Sequence, residues 1–253
     1  MSETPVRIVH ITDTHVPADP GSKVYGIDPT EALRTLLAAI ADARATPNLF
    51  IATGDLSADG SISSYRQLRT LLTQLVVPVY CIPGNHDSYT SMHVHLCDKN
   101  IKIERLVVVA KWQIIFLNTQ IIGQDHGFLA KPELEALRGI LEVDTETHAL
   151  VCLHHGPLRV CSRTACCLEN ADELLTVLSQ HQNVRAVIAG HNHCEAERNI
   201  GGIRVMITPS TFVQLSHQTD EHTLDSTHRG FRRLDLHPDG RIKSEVIWVP
   251  RSI

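Results

Sequence analysis

The 253-residue chain lacks several features that define common classes of protein. No apolar run approaches the roughly 18 residues of a membrane span, and Met1–Ile11 contains no apolar core of a signal peptide. Linkers rich in proline, glycine or serine, internal repeats and blocks of like charge are also missing. We therefore expect a single domain over residues 1–253, without membrane association and with a cytoplasmic location.

The sequence also lacks a basic excess. It has 23 Lys and Arg against 28 Asp and Glu, a formal charge of −5. A protein that coats nucleic acid needs surplus positive charge, so we expect no DNA or RNA partner. The seven cysteines are an odd number without an export signal, which favours reduced thiols in the cytoplasm. Three of them lie in an irregular stretch over residues 158–170, where the spacing disfavours a structural zinc site.

Apolar runs alternate with amphipathic helical patterns in the first half of the chain. Strands are predicted at Val6–Ile11, Leu49–Ala52 and Val79–Ile82, separated by helices over Thr30–Arg44 and Ser61–Gln74. This β-α-β-α-β order is typical of a parallel sheet covered by helices.

The second half predicts further strands and two further helices. The segments are a hairpin over Leu106–Ala110 and Trp112–Leu117, helices at Pro132–Leu141 and Ala171–Gln180, and strands at Ala149–Leu153, Val184–Ala189, Val205–Ile207, Phe212–Leu215, Phe231–Leu236 and Ile242–Trp248. Two mixed sheets packed face to face between helices would bury all the apolar runs. The sequence therefore predicts an α/β fold, a four-layer α/β/β/α sandwich.

Five short motifs of potential metal ligands each follow an apolar run. They are Asp13-x-His15, Gly54-Asp55, Gly84-Asn85-His86-Asp87, His154-His155 and Gly190-His191-Asn192-His193. Carboxylate, imidazole and amide donors suit a pair of divalent or trivalent first-row metals, and ligands bind α/β sheets at the carboxyl ends of their strands. Each motif alone also fits an ordinary turn or loop. All five motifs together, in this order, predict a two-metal site.

Spacing suggests which side chains share a metal. Residues two apart on an extended backbone point to the same side, so Asp13 with His15 and His191 with His193 are expected to face one metal pair. Asp55 is a single carboxylate that can bridge two metals. An Asx turn with a surface histidine remains the alternative for the first motif, and an exposed histidine-rich turn for the last.

The two remaining motifs contain adjacent candidates. Neighbouring residues on an extended backbone face opposite ways, so only one of His154 and His155 is expected to reach a metal, and His155 is expected to have a supporting role. Asn85 offers an amide oxygen to a metal, while His86 is expected to face substrate and assist a leaving oxygen. Asp87 is expected to orient an imidazole, either His86 or a neighbour.

Taken in order, these motifs resemble those of the calcineurin-like metallophosphoesterases over Asp13 to His193. The second half is similar to the bacterial class III cyclic-nucleotide phosphodiesterases of the cAMP-phosphodiesterase type, at His154–Leu158, Asn170–Leu174, Thr208–Thr211 with Gln214, and Gly230–Arg232. The finer resemblance implies an enzyme that hydrolyses 3′,5′-cyclic nucleotides, chiefly cAMP to AMP, by attack of a metal-bridging hydroxide. It also implies a small phosphodiester as substrate and, because relatives often pair, a homodimer.

The resemblance implies a role for each motif residue. One metal would be held by Asp13, His15, Asp55 and His193, and the other by Asp55, Asn85, His154 and His191, with Asp55 shared and His86 serving the leaving group. His154 is preferred because it stands three residues before Pro157, as in the family's H-H-P-P motif, in which Gly156 here replaces the first proline. Iron with manganese is the metal pair expected, with zinc as the alternative.

Two other functions remain open from the sequence. A broader phosphodiesterase or phosphomonoesterase, acting on glycerophosphodiesters or 2′,3′-cyclic nucleotides, would use the same metal core. A non-catalytic binding scaffold is disfavoured because every ligand of the motif set is present. The chain has no P-loop, which agrees with hydrolysis without a nucleotide-triphosphate motor.

Overall fold

The computed structural model describes residues 4–42, 46–160, 167–216 and 223–251. The first elements are β1 (Val6–Ile11), α1 (Pro29–Ala41), β2 (Leu49–Thr53), α2 (Ile62–Leu72), β3 (Val79–Ile82), α3 (Tyr89–Ser91), β4 (Ile101–Lys102), β5 (Leu106–Val109) and β6 (Trp112–Phe116). They are followed by α4 (Lys131–Val143), β7 (His148–Cys152), α5 (Ala171–Ser179), β8 (Val184–Ala189), β9 (Ala196–Ile200), β10 (Ile203–Ile207), β11 (Gln214–Ser216), β12 (Thr223–Asp225), β13 (His228–Leu236) and β14 (Ile242–Pro250). A π-helical turn at Met92–Leu96 continues α3.

The strands form two large mixed sheets. The first has the order β14-β13-β1-β2-β3-β4 and the second β5-β6-β7-β8-β10-β9. In the first sheet β1, β2, β3 and β4 are parallel, whereas β13 runs antiparallel to β1 and to β14. In the second, β6, β7, β8 and β10 are parallel, with β5 and β9 antiparallel at the edges. The parallel strands of each sheet therefore end at one edge.

Three apolar layers hold the sheets and helices together. Ile8, Ile51 and Ile114 belong to the layer between the two sheets. The outer face of the first sheet packs against α1 and α2, for example through Leu33. The second sheet packs in the same way against α4 and α5, where Leu137 is fully buried. This arrangement confirms the predicted α/β/β/α sandwich.

The helices begin where their sequences provide caps. The side chain of Asp28 accepts hydrogen bonds from the backbone N–H groups of Thr30 and Glu31, and Pro29 occupies the first turn of α1. The Ser61 side chain accepts from the Ser64 N–H at the start of α2. α2 ends at Leu72, two residues before the predicted Gln74. α1 ends at Ala41, and its predicted end, Arg44, lies outside the described residues. Among the described residues no helix is long and apolar enough to cross a membrane.

Several predicted boundaries were wrong. The edge strand Ala196–Ile200 was missed because its three central residues are exposed and polar, which removes the apolar alternation. The strand expected at Phe212–Leu215 begins instead at Gln214, and Phe212 packs in a small separate cluster. Of the cysteine-rich stretch, residues 161–166 lie outside the described residues, while Cys167 is buried. A single domain over residues 1–253 stays a prediction.

Candidate active site

Five chain segments from both sheets meet at the edge where the parallel strands end. Asp13 follows β1, Asp55 follows β2 and Asn85 follows β3, all from the first sheet. His154 follows β7 and His191 follows β8, from the second sheet. Their side chains lie close together, as the positions of the motifs after strands predicted.

The backbone at this edge is left-handed rather than extended. The φ angles are 54° at Asp13, 44° at His15, 48° at Asp55, 70° at His191 and 46° at His193. The expectation that extended strands continue through these motifs was therefore wrong, although the paired side chains still converge. A left-handed conformation costs a non-glycine residue roughly 1–2 kcal/mol, and such strain often concentrates at functional sites.

Two glycines allow the segments to approach each other closely. A Cβ atom on Gly84 would lie 2.2 Å from Asp55 Oδ1, and one on Gly190 would lie 1.9 Å from Thr12 Oγ1. Both distances are far shorter than any non-bonded contact. The glycines of these two motifs are therefore required for the strand ends to meet around the site.

One group of ligand atoms, which we call the Asp13 half, consists of Asp13, His15 and His193. Their ligand atoms lie within 4.8 Å of one another. His193 Nε2 is 3.4 Å from Asp13 Oδ1 and 3.2 Å from His15 Nε2. The other ring nitrogen of His193 donates to the carbonyl of Val213 at 3.0 Å, which turns Nε2 towards the pocket.

The second group, the Asn85 half, consists of Asn85, His154 and His191. His154 Nε2 lies 3.2 Å from Asn85 Oδ1, and its Nδ1–H donates to the carbonyl of Thr53 at 2.6 Å. The rings of His154 and His191 are 5.1 Å apart. As in the Asp13 half, a backbone carbonyl fixes which nitrogen of the imidazole faces the pocket.

Asp55 lies between the two halves. Its Oδ2 is 3.7 Å from His15 Nε2 and 3.4 Å from His154 Nε2. Its Oδ1 accepts a hydrogen bond of 2.9 Å from the backbone N–H of His86. A carboxylate in this position can contribute to two metal sites at once.

His155 lies nearer to the site than the alternation argument predicted. Its Nε2 is 3.2 Å from Asn85 Oδ1, the same distance as His154 Nε2, and its Nδ1 is 2.8 Å from Thr119 Oγ1. The expectation that the two neighbours face opposite ways was wrong, because β7 ends at Cys152 and the backbone bends before His154. The ligand atoms of His154, His155 and His191 all lie within 4.8 Å of one another.

The other two residues of the third motif have different surroundings. His86 is exposed at the mouth of the pocket, with its ring 4.8 Å from that of His15 and its Nδ1 3.1 Å from the carbonyl of Ala58. Asp87 does not orient an imidazole, contrary to the expectation. Its carboxylate is buried and accepts from the N–H groups of Leu56, Ser57 and Gly84 and from the Tyr65 hydroxyl.

Asp87 therefore joins the loops after β2 and β3 rather than acting on a histidine. Gln120, in the segment after β6, holds the loop after β3 from another side, because its amide donates to the carbonyl of Gly84 at 2.8 Å. Neither Tyr65 nor Gln120 was identified from the sequence, since nothing in the local pattern distinguishes them from ordinary helix and loop residues. Together these contacts fix the turn that carries Asn85 and His86.

The buried carboxylates and imidazoles of the pocket shift one another's pKa values. Burial disfavours the ionised form of Asp55, but the facing imidazoles of His154 and His15 hold its pKa well below the ordinary value. Burial likewise opposes a charge on His154, yet Asp55 and Asp13 raise its pKa to about 9. Burial lowers the pKa of His15 to about 3. Buried carboxylates beside imidazole nitrogens form a donor set that fits first-row metal ions.

Comparisons with known proteins agree with this geometry. The cAMP phosphodiesterase CpdA of Escherichia coli K12 is 37% identical over 247 residues, which cover 96% of this chain and 90% of the relative. CpdA of Pseudomonas aeruginosa is 31% identical, with 98% and 92% covered. A 3′,5′-cyclic-nucleotide phosphodiesterase of Nostoc is also 31% identical, with 98% and 94% covered.

Solved structures share the fold at low identity. A dimetal phosphatase from Danio rerio superimposes with a TM-score of 0.72 at 14% identity, covering 99% of this chain and all of the other. The anchor GAP50 from the inner membrane complex of Plasmodium gives 0.67 at 14% identity, with 97% and 85% covered. The family model of the calcineurin-like phosphoesterases matches residues 6–195, which contain all five motifs. The strand-end cluster and these full-length relatives lead to one conclusion: the chain belongs to the calcineurin-like phosphoesterase family.

Proposed function

We propose that this protein is a phosphodiesterase with a dinuclear metal centre that hydrolyses 3′,5′-cyclic nucleotides, chiefly cAMP to AMP. The main support is the position of Asp55, whose Oδ2 lies within 3.7 Å of a histidine from each half of the pocket. The substrate class is supported by relatives that are named cAMP phosphodiesterases and align over nearly their full length.

The proposed ligands follow the two halves. The Asp13 half with Asp55 would hold one ion, and the Asn85 half with Asp55 would hold the other. Bound ions would activate a water molecule and neutralise phosphate oxygens. We propose iron with manganese as the pair, and zinc as the alternative, because oxygen and imidazole donors accept all three.

Side chains of the protein would assist the cleavage of the phosphodiester bond. Water adds to phosphorus, the bond between phosphorus and the 3′-oxygen breaks, and the 3′-oxygen takes up a proton. His86 is the proposed proton donor, because it is exposed at the mouth and its Nδ1–H is directed at the Ala58 carbonyl, so that the imidazolium form would present Nε2–H to the leaving oxygen. Asp55 also accepts from the His86 backbone N–H, which ties the donor to the metal pocket.

A substrate panel tests the proposal. Metal-stripped protein would be reconstituted with iron and manganese, manganese alone or zinc alone, and assayed on cAMP, cGMP, 2′,3′-cAMP, glycerophosphocholine and simple monoesters. We expect the 3′,5′-cyclic nucleotides to have the highest kcat/KM. Faster turnover of glycerophosphocholine, 2′,3′-cAMP or monoesters would instead support the broader esterase. Asp55→Ala protein purified in parallel controls for contaminating activity.

Metal content, assembly and location are further proposals. Elemental analysis should give about two ions per chain, and fewer than one would favour a binding scaffold. We propose a homodimer and a cytoplasmic location. Light scattering on the purified protein and fractionation of source cells test these two points.

A further inference from the structure

A row of buried polar side chains crosses the layer between the two sheets, behind the metal pocket. His10 on β1, Thr53 on β2 and Thr208 just after β10 are fully buried, and Arg232 on β13 is 2% exposed. The rest of this layer is formed largely by apolar side chains such as Ile8. Burying polar groups there costs free energy unless each is hydrogen-bonded, so the row needs an explanation.

The four side chains are joined end to end. Arg232 Nε donates to Thr208 Oγ1 at 3.1 Å, Thr208 Oγ1 is 2.7 Å from His10 Nδ1, and His10 Nε2 is 2.7 Å from Thr53 Oγ1. Arginine can only donate, so the Thr208 hydroxyl accepts from Arg232. A neutral imidazole has one donor and one acceptor nitrogen, so His10 donates to one of the two threonine hydroxyls and accepts from the other. The four side chains thus form one continuous hydrogen-bonded row.

The far end of the row is anchored on both sheets. Arg232 also donates to the carbonyl of Ile207 at 2.9 Å and to the hydroxyl of Ser244 at 2.7 Å. Burial and the nearby Arg232 lower the pKa of His10 to about 3, so His10 stays neutral near pH 7. A neutral imidazole with one donor and one acceptor nitrogen is the form that the row requires.

The near end of the row reaches the metal pocket through Thr53. The carbonyl of Thr53 accepts from His154 Nδ1 at 2.6 Å and from the Thr12 hydroxyl at 3.0 Å. Thr53 is thus fixed at its hydroxyl by His10 and bonded at its carbonyl to His154. The Asp13 half has a different support, since His193 is oriented by the carbonyl of Val213.

We propose that His10 and Thr208 are positioning residues that act through Thr53 to aim His154 Nε2 into the Asn85 half. This inference rests on the dinuclear centre of the proposed function. Among the described residues the row contacts His154 and not His193, so its loss should weaken one metal site and spare the other. A purely structural role would not discriminate between the sites.

Metal titration of stripped protein tests the proposal without relying on activity. Thr208→Val keeps the shape and removes the hydroxyl, and Thr208→Ser keeps the hydroxyl. His10→Phe is a second way to break the row. Mn²⁺ binding would be measured by calorimetry, with His154→Ala and His193→Ala identifying the two sites. Leu234→Ala, in the same apolar layer, controls for a general loss of stability, and circular dichroism checks folding.

We expect Thr208→Val and His10→Phe to weaken the site that His154→Ala also weakens, by roughly 10–100-fold, which is the usual effect of losing an outer partner of a metal ligand. The Mn²⁺ affinities of Thr208→Ser should stay within a few-fold of those of the parent protein. Leu234→Ala should lower the melting temperature without weakening one metal site more than the other.

Equal weakening of both sites, or unchanged affinity in folded Thr208→Val, would overturn the inference. If the parent protein bound no second ion, the proposed function would fail instead. If His10→Phe does not fold, the comparison of Thr208→Val with Thr208→Ser tests the proposal.

Discussion

The two halves of the metal pocket are held in place by different means. In the Asp13 half all three residues, Asp13, His15 and His193, have positive φ angles. In the Asn85 half only His191 does, and His154 is held by the hydrogen bond from its Nδ1 to the Thr53 carbonyl. The comparison shows that the Asp13 half relies more on left-handed backbone than the Asn85 half does, although a backbone carbonyl orients one histidine in each. Substitutions of supporting residues should therefore affect the Asn85 half more.

Asp55→Ala should have the largest effect, because it removes a carboxylate whose Oδ2 lies close to a histidine of each half. Both ions should weaken together, and kcat/KM should fall by more than the roughly 100-fold that loss of an outer partner produces. Calorimetry with Mn²⁺ and a cAMP hydrolysis assay would measure the two effects. Loss of a single ion would contradict a bridging role.

His193→Ala and His154→Ala should separate the halves. Each removes one imidazole from one half, so each should weaken a different ion while leaving the other near its normal affinity. Competition with a chromophoric chelator would give both constants. If both variants lost the same ion, the division into an Asp13 half and an Asn85 half would be wrong.

His86→Ala should slow hydrolysis while leaving both halves occupied. Loss of a general acid typically costs about 10²–10⁴-fold, and the loss should be greatest for substrates with a poor leaving group. Rates on cAMP and on a bis(nitrophenyl) phosphate, whose leaving group needs no proton, would be compared. Equal losses on both would assign His86 to binding or folding.

His155→Phe should have a smaller effect that is confined to the Asn85 half. His155 is bonded to Thr119 and lies 3.2 Å from Asn85 Oδ1, so we expect it to orient the amide rather than to replace His154. Affinity for one ion should fall by about 10–100-fold. Thr119→Val is the matched control and should reproduce part of the loss. A defect as large as that of His154→Ala would instead make His155 a ligand.

Tyr65→Phe should have the smallest effect on the pocket. The Tyr65 hydroxyl donates to Asp87 at 2.9 Å and accepts from the Ser88 N–H at 2.7 Å, so its removal takes one donor from the buried Asp87 carboxylate and this acceptor from the Ser88 N–H. The free energy of unfolding should fall by about 1–3 kcal/mol, and the melting temperature by about 2–4 °C for each kcal/mol. Thermal unfolding measures this change. Metal affinity should change only in the Asn85 half, by a few-fold.

The sequence predicted where the site lies better than how it is held. Strand ends are readable from apolar runs, and parallel strands bring their ends together, so the convergence of Asp13, Asp55 and His191 was predictable. Side-chain direction was not, because the alternation rule applies only while the backbone stays extended. His155 and Asp87 both lie beyond the strand ends, and the expected direction of the His155 side chain and the expected imidazole partner of Asp87 were wrong.

The supporting residues escaped prediction for a different reason. His10 stands inside an apolar strand and has no motif around it, and its partners Thr208 and Arg232 are 198 and 222 positions away in a 253-residue chain. Only the packing of the two sheets brings these residues together. Hydrogen bonds over such separations leave no local pattern in a single sequence.

The spread of the ligands along the chain has a consequence for biosynthesis. His15 and His193 touch across 178 positions, and β1 pairs with β13, which ends at Leu236. During translation β1 can pair early with β2, but its pairing with β13 must wait until the chain has been synthesised as far as Leu236. Contacts between distant parts of a chain form late and slowly. Acquisition of the metals should accordingly be one of the last events in the maturation of a newly made molecule.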